Sequence, residues 1–102
     1  MAQVVWTQAA LDDLREVHDF IAEDSAGYAQ TTVDRIHAAL RRLENFPRSG
    51  RLVPEPRPMP YRELLVGSYR VVYRYDEQTD RVLVLAVVHG ARQLPPLSDG
   101  TA

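Results

Sequence analysis

Arg62, Arg70, Arg74, Arg92 and His89, all in the C-terminal half, are the side chains best placed by type to do chemistry. Arginine presents a planar fork of donors that matches carboxylate and phosphate. Arg70 falls in the middle of a run with the two-residue period of a strand, where a long charged side chain is costly unless it reaches solvent, a carboxylate or a ligand. Arg74 shares its face, Arg62 lies on the preceding run, and His89-Gly90-Ala91-Arg92 closes the following one. Such a cluster can stabilise the charge of a phosphorane-like transition state while histidine moves a proton. It can equally dock an acidic peptide, or it can be a solvated sheet face with ion pairs, for example to Glu63. Glu55 is a candidate general base with no visible partner. His18 and His37, at the edges of apolar helical stripes, are expected to pack between helices, and Tyr73 and Tyr75 to be half-buried strand residues.

Many other chemistries are excluded. The chain has no cysteine, so thiol nucleophiles, disulfides and cysteine-based zinc sites are absent. The five glycines are scattered at 27, 50, 67, 90 and 100, so no phosphate-cradling loop exists. The three histidines have no metal-ligand spacing, and there is no G-x-S-x-G elbow, helix-turn-helix or RNA-binding sheet signature. No metal and no cofactor are expected. The longest apolar run, 82–88, is far shorter than the roughly 20 residues that span a bilayer. The first residues show no signal-peptide pattern, so a cytoplasmic protein without membrane contact is expected.

All 12 basic residues are arginine, against 14 acidic ones, for a net charge of −2. The balance is uneven: residues 1–47 hold four arginines against eight acids, and the remainder eight against six. The whole molecule is therefore no general polyanion binder, although its second half has room for a local basic site.

The elements that must position these groups follow from periodicity. A β-prone run, 3–6, ends at Thr7, a good helix N-cap. Ala10, Leu14, Val17 and Ile21 then recur at four-three-four spacing, predicting an amphipathic helix over about 7–24. Asp24-Ser25 offers a stop and a fresh cap. Ala29, Val33, Ile36, Leu40 and Leu43 predict a second helix over 26–46, ended by Pro47. Residues 47–60 carry five of the seven prolines and read as an extended loop. The period then becomes two, predicting strands over 61–66, 69–75 and 81–89, the first pair joined by a Gly67-Ser68 type II′ turn. The last strand is apolar on both faces, as befits a central strand. The fold class is α+β, in the order β-α-α-β-β-β: an N-terminal strand and an antiparallel helical hairpin on a small, curved, mostly antiparallel sheet. Residues 1–93 form one domain and 94–102 a flexible tail. The hairpin covers one sheet face only, so an exposed apolar groove flanked by arginines is expected on the other, unless the tail covers it.

The motifs V-x-W-T-x-x-A-x-x-D-L (4–14), F-P-x-x-G-R (46–51), R-E-L (62–64), Y-R-V-V-Y-R (69–74) and V-V-H-G-A-R (87–92) occur in order across almost the whole chain. Together they resemble the RelE/ParE superfamily of toxins of bacterial type II toxin–antitoxin modules, also called plasmid stabilisation proteins. The resemblance implies a growth-arresting toxin neutralised by a cognate antitoxin, whose acidic, amphipathic C-terminal segment would lie across helices and sheet; DNA would be contacted only through the antitoxin. ParE-like members inhibit DNA gyrase, whereas RelE-like members cleave mRNA on the ribosome without a metal. On the RelE-like branch the resemblance makes Arg70, Arg92, Arg62 and His89 the catalytic set. For partner binding it points to Arg62, Arg70, Arg74 and Arg92 with Leu14 and Ile21 on the first helix. Leu64 stands where RelE-like members carry a second basic residue, and no tyrosine follows Arg92. Both features, with the H-G-x-R ending, favour the ParE-like branch, for which no enzymatic activity is implied. A non-toxic interaction module of the same fold is the remaining alternative.

Overall fold

Thr7 stops the first strand and starts the first helix with one hydroxyl. In the computed structural model, which describes residues 1–99, its Oγ1 donates to the Val84 carbonyl at 2.8 Å and accepts the Ala10 N–H at 3.2 Å. The strand β1 is Gln3–Trp6 and the helix α1 Gln8–Ala22. Ser25 Oγ accepts the Tyr28 N–H and caps the second helix, α2, Ala26–Arg41. Both helices end earlier than periodicity predicts. The stretch expected to finish α2 tightens into a 3-10 turn over Arg42–Glu44, because Pro47 pushes the residue before it out of helical conformation.

The sheet contains β1 and four later strands: β2 (Arg51–Leu52), β3 (Arg62–Val66), β4 (Tyr69–Asp76) and β5 (Arg81–His89). Their order is β1-β5-β4-β3-β2, with only β1 and β5 parallel. As predicted, β5 is an interior strand covered on both faces, between β1 and β4, while β2 is an addition. It borrows the start of the proline segment to pair with β3, and Pro54, lacking an N–H, follows soon after. Gly67 takes φ +57° in the β3–β4 turn, the conformation a II′ turn requires at its first central position. In the β4–β5 loop Asp80 occupies the left-handed region, φ 52°, where its carboxylate accepts the Tyr75 hydroxyl at 2.7 Å.

A register shift gives the two faces of β5 their composition. Val72 pairs with Ala86 and Tyr73 with Val84, so Leu85 is an extra residue. Leu85 and Ala86 both join the outer face, and Val84 and Val87 both join the helical face. The main core forms on the helical face from Ala10, Leu14, Ile36, Leu40, Leu43, Val71, Tyr73, Val82, Val84 and Val87. Leu14 is therefore core, 8% exposed, and does not form part of a partner surface as expected. The outer face is covered by the chain itself: Tyr61 and Val53 from the proline segment, and Leu94 and Leu97 from beyond β5, close over Val72, Leu85 and Ala86. The expected apolar groove is thus filled on that face. Leu94 is buried and Asp99 bonds Arg74 at 2.6 Å, so the described part of the expected tail lies against the sheet; residues 100–102 fall outside the described residues.

Candidate functional site

The centre of the outer face is an ion-pair cluster built from three elements. Arg70 on β4 is nearly buried, its side chain 6% exposed. Its Nε donates to Glu63 Oε1 at 2.7 Å, Glu63 being fully buried on β3. Its Nη2 and Nη1 grip both oxygens of Glu55 from the proline loop, at 2.7 and 2.9 Å, and Nη1 also reaches the Arg92 carbonyl at 3.3 Å. The second oxygen of Glu63 is taken by Arg51 at 2.6 Å. Glu55 Oε2 further accepts the Leu94 N–H at 3.3 Å, and Arg57 donates to the Leu94 carbonyl at 2.9 Å. Two arginines and two carboxylates thus cancel, joining proline loop, sheet and C-terminal segment. Among the described residues no buried side-chain polar atom lacks a partner.

The hydrogen bonds from Arg70 hold the Glu55 carboxyl far below its usual range, at about 2. A depressed carboxylate contributes stability that is present above its ordinary pKa of 4.5 and is lost as pH falls toward 2. Wild-type unfolding free energy should therefore drop between about pH 5 and pH 2 more steeply than that of Glu55→Gln, measured by urea denaturation at stepped pH. Parallel curves for the two proteins would show that Glu55 does not carry this linkage.

The remaining predicted residues are not brought to Arg70. Arg62 pairs in register with Tyr73 and faces the helical side, where Nη1 donates to the Gly50 carbonyl at 2.8 Å. Arg74 shares the Arg70 face as expected, but it is bound to Asp99, which raises its pKa. His89 lies opposite Tyr69, its ring edge-on to the tyrosine at 5.7 Å between centroids, and its Nδ1 accepts the Ala91 N–H at 3.2 Å. It therefore stands on the helical face, with the sheet between it and the Arg70 guanidinium.

On that helical side a groove of about 810 Å³ runs between α1 and the end of β5. Val17, Phe20, Tyr69 and Val87 supply its apolar surface, Asp13 and Glu16 one charged wall, and His89 and Arg92 the other. Phe20 is 69% exposed. Ile21 belongs to the adjoining hollow with Tyr28 and Arg35. Of the expected partner-binding residues, Arg92 and Ile21 thus face open grooves, whereas Arg62, Arg70 and Arg74 are engaged within the chain. Asp13 and Glu55 went unnoticed as structural hubs. Asp13 Oδ2 accepts the Val87 N–H at 3.0 Å, and burial raises its pKa. Neither has a local signal, since its partners lie 74 and 15 residues away in sequence.

Residues 4–94 match the family described as the ParE toxin of type II toxin-antitoxin system, parDE. Toxin RelE2 of Caulobacter vibrioides is 37% identical over 92 residues, covering 90% of this chain and 99% of that protein. The fold is similar to that in the chromosomal ParDE TA system from P. aeruginosa, with a TM-score of 0.71 at 20% identity, over 87% of this chain and 96% of the other. It is also similar to a chain of the intact E. coli RelBE toxin-antitoxin complex, with a TM-score of 0.65 at 20% identity, over 90% and 100%.

Proposed function

This chain belongs to the RelE/ParE superfamily of toxins of type II toxin–antitoxin systems, and on that premise we propose that it arrests growth by inhibiting DNA gyrase and is held in check by a cognate antitoxin. One observation carries the choice of target. Metal-free RNA cleavage needs a base, an acid and free cations at one phosphate. Here the sheet stands between the Arg70 guanidinium and His89, Arg62 faces away from Arg70, and two carboxylates already neutralise the Arg70–Arg51 pair. A phosphate arriving at Arg70 would meet Glu55 first. The net charge of −2 also gives little of the phosphate neutralisation that RNA binding draws on.

The antitoxin reading is supported by the groove beside α1. Its apolar floor and exposed Phe20 suit the apolar stripe of an amphipathic segment, while Arg92 on one wall can pair an acidic side chain and Asp13 and Glu16 on the other a basic one. The solved relatives named as ParDE and RelBE systems are themselves toxin–antitoxin assemblies. No described helix is long and apolar enough to cross a membrane.

The purified protein should inhibit gyrase supercoiling of relaxed plasmid, relieved by equimolar antitoxin, and should leave mRNA intact on programmed ribosomes. Cutting in the A-site codon that disappears in Arg92→Ala, an exposed position, would replace this reading with the RelE-like one. Silence in both assays from a protein that still stops growth would reject both targets, and a protein without effect on growth would be the interaction module.

A further inference from the structure

Glu55 occupies its position as a ligand occupies a site. Its two oxygens take the ends of the Arg70 fork, and the Leu94 N–H supplies a third donor. Arg70, Glu63 and Arg51 are fixed by the strand ladder, but Glu55 stands on the 53–61 excursion, whose ends are joined by the Val53 N–H to Tyr61 carbonyl bond. Its side chain is 24% exposed, so the carboxylate faces water from its outer side. It can leave without breaking a strand hydrogen bond. Four prolines, 54, 56, 58 and 60, restrict the backbone of the excursion, which bends at 54–55 and 58–59.

We propose that Arg70 and the Leu94 N–H form an anion site held closed by Glu55 as an internal ligand, and that its external ligand is the carboxylate of an acidic segment of a protein partner. The site lies on the face opposite the groove and does not depend on which cellular target is correct. Three features favour a peptide carboxylate over a phosphodiester. The three donors already hold a carboxylate. With Glu55 swung away, Arg51 and Arg70 face Glu63 alone, and Arg57 leaves with the loop; one net positive charge suits an acidic side chain, whereas a phosphodiester chain draws its affinity from many cations. Leu65, opposite Arg70 in register and 57% exposed, offers an apolar contact beside the site.

The test compares binding of fluorescein-labelled hexaglutamate and hexauridylate to wild type, Glu55→Ala and Glu55→Gln by anisotropy. Removing the internal competitor should tighten hexaglutamate binding at least tenfold in Glu55→Ala and in the same direction in the isosteric Glu55→Gln. Adding Arg70→Leu to either variant should abolish the gain. Acetate should also raise the melting temperature of Glu55→Ala saturably and beyond sodium chloride of equal ionic strength, with no such rise in wild type. Should Glu55→Ala fail to fold, Glu55→Gln alone decides. Equal hexaglutamate affinity in wild type and variants, a gain that survives loss of Arg70, or tighter binding of hexauridylate than hexaglutamate overturns the proposal.

Discussion

Glu63→Ala should lower the unfolding free energy by about 3–5 kcal/mol, a large share of the roughly 5–15 kcal/mol that holds a domain of this size together. Glu63 is fully buried and accepts from both Arg70 and Arg51. Arg51 is 58% exposed and can turn to water once released, so it contributes little to the loss. Arg70 cannot: at 6% exposed it would keep Glu55 but carry an Nε–H with nothing to receive it. Glu55 still pairs the charge, so the damage lies in the buried Nε–H left without an acceptor and in the cavity where the carboxylate stood. The double variant Glu63→Leu with Arg70→Met removes the buried pair but leaves the Glu55 carboxylate without its arginine, so it should recover only part of the loss. Urea unfolding of Glu63→Leu, Arg70→Met and the double completes the cycle. A Glu63→Ala loss below about 1 kcal/mol would mean that water reaches Arg70 and that the cluster is a surface pair.

Gly50→Ala should cost about 3 kcal/mol through overpacking, seen as a fall in melting temperature of roughly 12–24 °C for a domain of this length. A Cβ at this position would stand 2.6 Å from the Tyr73 hydroxyl and 2.8 Å from the Glu63 carbonyl oxygen. The tyrosine cannot retreat, because Tyr73 is fully buried in the main core and its hydroxyl accepts the Gly50 N–H at 2.9 Å. The carbonyl belongs to β3 and cannot move without its neighbours. The close approach lets the chain before β2 lie flat on the sheet, with the Gly50 carbonyl receiving Arg62. Burial pushes the Tyr73 phenol above its usual pKa, so it stays a neutral acceptor. Gly67→Ala, in the hairpin turn with open space around it, would strain only a positive φ and should cost less, about 1 kcal/mol. Equal melting temperatures for Gly50→Ala and wild type would show that β2 is loosely attached.

The sequence by itself determined the elements and the order in which they occur. Apolar residues at four-three spacing can lie on one side of a chain only if it is helical, and Thr7 and Ser25 could be read as caps from their type and place. The two-residue period placed β3, β4 and β5 to within a residue, and Gly67-Ser68 specified their turn. These are local signals, each resting on neighbours a few positions apart. The family resemblance was legible for the same reason: its motifs are short and their order is linear. What only the tertiary structure decided is which charged groups meet. Period-two reasoning puts Arg70 and Arg74 on one face correctly, but says nothing of register, and register is what places Arg62 and His89 on the other side of the sheet. The Leu85 bulge leaves no mark in an unbroken apolar run, yet it sets which β5 side chains face the helices. Glu55, read alone, was a carboxylate without a partner; loop closure brings it to an arginine 15 residues away. A buried charge is tolerated only where opposite charge and hydrogen bonds converge on it, and that convergence is a property of the assembled fold.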